Sequence, residues 1–285
     1  LVSDGAWGTM LHQKGLKPGE CPESWCLSRF DDIRDVAARY AEAGADMVGT
    51  NSFGANRFKL EHYGLSGQVS AINQAAAKAS REAVGDGVWV IASIGPTGKL
   101  LVAEDVTKQE LYEAFKEQAV ALEAGGADAA CLETMMDIDE AVQAIRAVKE
   151  NTSLEVICSF VFERTVRGEY RTMMGVSPTA AAVAATEAGA DVIGANCGNG
   201  IERMIEIASE MRAARPDAPI LIHANAGLPQ NLDGLDVFPD SPEFMARQVP
   251  KLIRAGANIV GGCCGATPAH IEAIAQTVKM GVTTT

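Results

Sequence analysis

Seven cysteines offer the most chemistry in this chain: Cys21, Cys26, Cys131, Cys158, Cys197, Cys263 and Cys264. An odd number scattered over 285 residues, with no basic stretch and apolar run at the Leu1-Val2-Ser3-Asp4 start, does not read as a disulfide framework. Reduced thiols in the cytosol are expected instead, serving as core residues, metal ligands or nucleophiles. Three of them stand apart. Cys197 sits in Asn196-Cys197-Gly198, and Cys263-Cys264 lies between Gly261-Gly262 and Gly265. Glycine lets the backbone leave strand geometry, so adjacent thiols that would otherwise point to opposite faces can turn to one centre. Three thiolates with no fourth protein ligand describe an open, catalytic type of metal site, and soft sulfur selects zinc or copper(I) over magnesium or calcium. Zinc is the expected ion. Such a site takes a soft thiol and removes its proton, leaving the nucleophilic thiolate.

The other cysteines read more plainly. Cys131 and Cys158 fall inside apolar runs and are expected to be inert core residues. Cys21 and Cys26 form a C-x4-C spacing that is a weak candidate for a second metal. His223 can be a ligand or a packed histidine, while His12, His62 and His270 look like surface or packing residues. Asp4 and Glu133 are acidic residues at the ends of apolar runs. A buried unpaired charge is expensive there. The expected partner is a positive substrate group such as an α-ammonium, with a salt bridge to Lys or Arg as the alternative.

The elements that must position these groups are legible from a repeated phrase. It reads EAGADMVGTN at 42–51, EAGGADAACLET at 123–134, EAGADVIGANCG at 187–198 and RAGANIVGGCCG at 254–265. Each ends a helix at a glycine suited to the left-handed conformation and then enters an apolar run of strand length. Unalternating apolar runs suit parallel strands buried on both faces. Eight are expected, at 1–4, 46–50, 88–94, 129–133, 155–161, 192–196, 220–224 and 258–262. Helices are expected between them, among others at 31–43, 108–124, 138–149, 178–188, 201–214, 242–255 and 268–279. Ser177-Pro178, Ser241-Pro242 and Thr267-Pro268 each place an N-cap hydroxyl before a proline. This alternation predicts a single (β/α)8 TIM barrel over 1–285, with its active site at the C-terminal strand ends; an open doubly wound sheet shares the pattern. Strand ends six and eight are then one neighbour apart, roughly 10 Å.

Composition sets outer limits. A net charge of −13 disfavours nucleic acid and anionic membrane surfaces as partners, and no run of about 18 uncharged apolar residues is present to span a bilayer. No phosphate-binding glycine motif follows the first strand, and no lysine stands at a strand end for Schiff-base chemistry.

Six segments carry a resemblance. DGAWGTML at 4–11, GADMVGTNSFGANRFKL at 44–60, IGPTGK at 94–99, ANAGLP at 224–229 and GGCCGATPAHI at 261–271, together with GANCGNG at 194–200, closely resemble the homocysteine S-methyltransferase family over essentially the whole chain. The resemblance implies a (β/α)8 barrel, zinc held by Cys197, Cys263 and Cys264, and methylation of homocysteine, or a similar thiol, to methionine. It implies that Asp4 and Glu133 hold the homocysteine amino group, that backbone amides near Gly5 meet its carboxylate, and that Asn225 organises the surroundings. The DGAWGTM opening is more similar to the homocysteine module of cobalamin-dependent methionine synthases than to the betaine-using branch. That implies methylcobalamin carried on a separate corrinoid protein or module, with a small methyl sulfonium or ammonium donor as the other option. Residues 160–177, FVFERTVRGEYRTMMGVS, depart from the methionine-synthase pattern. A methyltransferase subunit that demethylates another compound onto a corrinoid partner is the alternative activity.

Overall fold

A computed structural model describes residues 1–232 and 235–282. Seven strands form one curled parallel sheet in sequential order: β1 (Met47–Gly49), β2 (Trp89–Ile94), β3 (Ala129–Met135), β4 (Glu155–Phe160), β5 (Val192–Gly200), β6 (Ile220–Asn225) and β7 (Ile259–Gly262). Helices alternate with them, and those expected from the sequence fall within a few residues of their places, for example Lys108–Ala124, Pro178–Ala188 and Ile201–Ala214. Ser177 and Ser241 cap their helices as expected, accepting from the backbone N–H of Ala180 and Phe244.

The expected first strand is shorter than predicted. Val2 and Ser3 each make one parallel pairing, Val2 with Val260 of β7 and Ser3 with Met47 of β1. The chain turns into a helix at Trp7 immediately afterwards, which leaves no length for a ladder. A helix over Val69–Val84, the short helices Trp7–Gln13, Trp25–Ser28 and Arg57–Glu61, and two antiparallel strand pairs, Glu163–Arg164 with Tyr170–Arg171 and Gln230–Leu232 with Leu235–Val237, are among the elements that the apolar runs did not announce.

The repeated phrase has a structural cause. Its glycines Gly44, Gly126, Gly189 and Gly256 all have φ between 95° and 116°, a conformation that a Cβ would strain. The acidic or amide residue two positions on then stitches its strand to the preceding one. Asp46, Asp128, Asp191 and Asn258 donate their backbone N–H to the carbonyls of Val2, Val90, Val156 and Ile220 at 2.7–2.9 Å. Their side chains accept from the N–H of those same four residues, again at 2.7–2.9 Å. Register is therefore fixed at the N-terminal edge of the sheet, and what projects from the opposite edge is placed by it.

Burial on both faces explains the unalternating strands. Val48, Ala92, Ala130 and Val156 pack beneath the helices, while Met47, Ile91, Ala129, Cys131, Ile157, Leu221 and Ile259 form a second apolar cluster inside the curl. That inner cluster is the floor on which the site stands.

Candidate metal and thiol site

A cavity of about 430 Å³ opens above this floor at the C-terminal ends of the strands. Its lining includes Asp4, Gly5, Trp7, Ser93, Glu133, Cys197, His223, Cys263 and Cys264, so five of the expected site residues, and the cysteine pair among them, converge there with Gly5. No lysine or arginine lines it among the described residues.

The sulfur side is built from a bulge and a turn. Pairing of β5 with β6 runs in register to Asn196–His223 and resumes only at Gly200–Asn225. Within that bulge Cys197 takes φ of 60° and Gly198 of 70°, which turns the Cys197 thiol out of the sheet and into the cavity. Cys263 and Cys264 lie just beyond β7. The N–H of Cys263 donates to Ala224 O at 2.7 Å, and Cys264 O accepts from the N–H of Ala226 at 2.9 Å. The difficulty of two adjacent residues facing opposite ways disappears because the pair sits on a turn, not in a strand. The three Sγ atoms lie within 4.8 Å of one another, with Cys197 and Cys264 at 3.8 Å. Hydrogen bonds from Cys263 and Cys264 hold the Cys197 thiol far below its usual range, and the same contact pushes the other two up. Asn225 also hydrogen-bonds Cys197 from β6, while its Oδ1 has no partner. Three soft donors converging on one point, with a cavity on the open side, fit a thiophilic ion.

The carboxylate side is held by hydrogen bonds. Asp4 Oδ2 accepts from the N–H of Gly49 at 2.7 Å and from Trp7 Nε1 at 2.8 Å. Glu133 accepts from the Ser93 hydroxyl and, at 3.4 Å, from Asn196 Nδ2. Burial pushes Asp4 up to about 6 and Glu133 up to about 7. Neither forms an ion pair among the described residues, so the salt-bridge alternative does not describe them. Both carboxylates face the cavity without a cation.

Other expectations resolve individually. Cys21 donates to Glu23 and Cys26 to Asn51 O, each at 3.3 Å, and they form no metal-holding group among the described residues. Cys158 is a core residue; Cys131 is equally buried but lines the cavity floor. His223 also lines the cavity, outside the sulfur cluster, with Nε2 unpartnered and burial pushing it down to about 4. His270 packs, bonding Thr267 and Asp240 O. Trp7, Ser93 and Asn196 were not singled out from the sequence, although a polar residue inside or just after an apolar run was the available signal.

The chain matches the family model described as homocysteine S-methyltransferase over residues 1–278. It is 31% identical over 293 residues to the methionine synthase of Mycobacterium leprae (strain TN) and 32% identical over 295 residues to that of Mycobacterium tuberculosis (strain ATCC 25618 / H37Rv). Each match takes in 98% of this chain, which spans about a quarter (24%) of the relative's length. Among solved structures, the metallated form of the homocysteine methyltransferase MmuM from Escherichia coli shares the fold, with a TM-score of 0.79 at 21% identity, covering 97% of this chain and 95% of the other.

Proposed function

The chain belongs to the homocysteine S-methyltransferase family, and on that premise we propose that it binds zinc through Cys197, Cys263 and Cys264 and methylates homocysteine to methionine. The carrying observation is the juxtaposition of a three-thiol cluster with two cation-free carboxylates across one cavity. Val2 and Ser3, pairing with β7 on one side and β1 on the other, support closure of the sheet into an eight-stranded barrel. We read 1–285 as one domain. Seven unpaired cysteines favour a reducing compartment such as the cytosol.

When bound, zinc supplies a Lewis acid that keeps the substrate thiol ionised at neutral pH. The protein's own residues do the rest. Asp4 and Glu133 accept hydrogen bonds from the α-ammonium, which supplies the positive charge their cavity lacks. Backbone amides at Gly5 meet the α-carboxylate. Asn225 steadies Cys197 through its hydrogen bond. With both ends of homocysteine fixed, its sulfur is presented to the open side of the cavity, where its lone pair forms the new S–C bond. The donor's bond to the methyl group breaks at the same time and its electron pair leaves with the donor. Holding the nucleophile in line is worth a large part of the barrier.

For the donor we favour a methyl-corrinoid protein or module. The similarity to methionine synthases supports it, and so does the surface. Loops that follow β2, β4 and β6, all on the site's end of the sheet, expose the apolar side chains Val102, Val166, Met173 and Leu228, which a docking partner could cover. Zinc-edge X-ray absorption tests the thiol step. Homocysteine should convert a shell of three sulfurs and one light atom into four sulfurs. An unchanged shell would withdraw the homocysteine assignment.

A further inference from the structure

We propose that Asn196 is a positioning residue that clamps the bulge of β3 to the bulge of β5, and so sets Glu133 at a fixed place relative to Cys197. Two irregularities face each other here. On β3, pairing with β4 passes from Leu132–Cys158 to Met135–Phe160, three steps against two, which places one extra residue in the Glu133–Thr134 segment. On β5 the extra residues follow Asn196. Thr134 at φ 61° and Cys197 at φ 60° are two of the three non-glycine residues with positive φ among those described. For a β-branched residue such as Thr134 this conformation persists only when its surroundings impose it.

Asn196 imposes it. Its side chain is fully buried and reaches across to the carboxylate half of the site, while its backbone leads directly into Cys197. Oδ1 accepts from the N–H of Thr134 at 2.7 Å and from the hydroxyl of Ser159 on the intervening β4. Nδ2 donates to Thr134 Oγ1 at 2.8 Å and to Glu133 Oε2 at 3.4 Å. One amide therefore brackets the strained turn, touches the carboxylate, and precedes the bulged cysteine in the chain. The bulges aim Glu133 and Cys197 inward, and the amide fixes their separation. Its consequence is selectivity for a thiol whose amino group lies at one set distance from its sulfur. This rests on the reading of Glu133 as the ammonium acceptor.

The test is calorimetric binding of homocysteine and of 4-mercaptobutanoate, which keeps the thiol and carboxylate but lacks the amino group, to zinc-loaded protein. Asn196→Asp keeps the acceptor for the Thr134 N–H and Ser159 but replaces the donor to Glu133 and Thr134 Oγ1 with an oxygen, which repels Glu133 and can accept from the Thr134 hydroxyl. It should weaken homocysteine roughly 10- to 100-fold while moving 4-mercaptobutanoate less than about threefold. Asn196→Ala frees the strained turn as well. Adding Thr134→Gly, which accepts that conformation unaided, should restore fold, zinc content and 4-mercaptobutanoate binding without restoring the preference for homocysteine. Equal weakening of both ligands by Asn196→Asp overturns the proposal, because a merely structural role predicts that. Intact preference in Asn196→Asp with lost preference in Glu133→Gln overturns it too and leaves the Glu133 reading standing. Intact preference in Glu133→Gln overturns the Glu133 reading and this inference with it.

Discussion

The two walls of the cavity are made in opposite ways. On the sulfur wall, position comes from the backbone: a left-handed Cys197 in a bulge, and a cysteine pair on a turn past the end of β7. The thiols have few partners besides one another. On the carboxylate wall, position comes from side-chain and amide donors: Gly49 N–H and Trp7 for Asp4, Ser93 and Asn196 for Glu133. A metal supplies its own directional bonds, so its ligands need only be brought near. An ammonium ion bound by carboxylates is held mainly by charge, so its acceptors must be fixed beforehand. The contrast predicts that damage to the sulfur wall is all or none, whereas damage to the carboxylate wall is graded.

The largest expected effect follows from the first half. Cys263→Ala leaves two sulfurs, and zinc measured by atomic absorption after dialysis should fall from one per chain to below about a tenth, with methyl transfer falling roughly a thousandfold. Cys26→Ala serves as the counterpart, since Cys26 is buried and bonded to Asn51 O away from the cluster. It should lower stability while leaving zinc content at one. Full zinc in Cys263→Ala would break the distinction between the walls.

Asp4→Asn probes the graded wall. Loss of one of two carboxylates should raise the KM for homocysteine about 10- to 100-fold, with kcat changed much less, because the sulfur remains in place. The same change removes a buried, uncompensated charge. The substrate-free protein should therefore gain roughly 1–3 kcal/mol in a urea titration at pH 7.5. A variant that binds worse and folds better would mark Asp4 as kept for function. One that does neither would make the carboxylate wall structural.

Much of this was legible from residue order because parallel strands put chemistry at one end. Cys197, Cys263 and Cys264 follow apolar runs directly, as do Asp4 and Glu133, and the four repeated glycine phrases set the strand rhythm. The eight expected strands became seven and two single pairings, since Gly5 and the helix from Trp7 cut the first one short. The strand pairs escaped notice because strands such as Glu163–Arg164 and Tyr170–Arg171 are two residues long and charged. Asn196 stood in plain view beside Cys197, yet its part depends on two bulges, and a bulge is a mismatch between strands far apart in the chain. Periodicity within one segment carries no trace of it.

The smallest effect sharpens the comparison through pH. Burial raises Asp4 to about 6, above the ordinary carboxylate value it has when unfolded. Between those values the folded state binds the extra proton, so the contribution to stability is full below the unfolded value and is lost as pH rises through about 6. Wild type should therefore lose about 1 kcal/mol relative to Asp4→Asn between pH 5 and 7.5, measured without substrate by urea unfolding at both values. Homocysteine should reverse the trend, because its ammonium favours the ionised carboxylate and so expels that proton. In calorimetry, buffers of different ionisation enthalpy should then report proton release from wild type exceeding that from Asp4→Asn near pH 6. Release that is equal in the two proteins would mean that the proton comes from the thiol alone, and that Asp4 is already ionised before the substrate arrives.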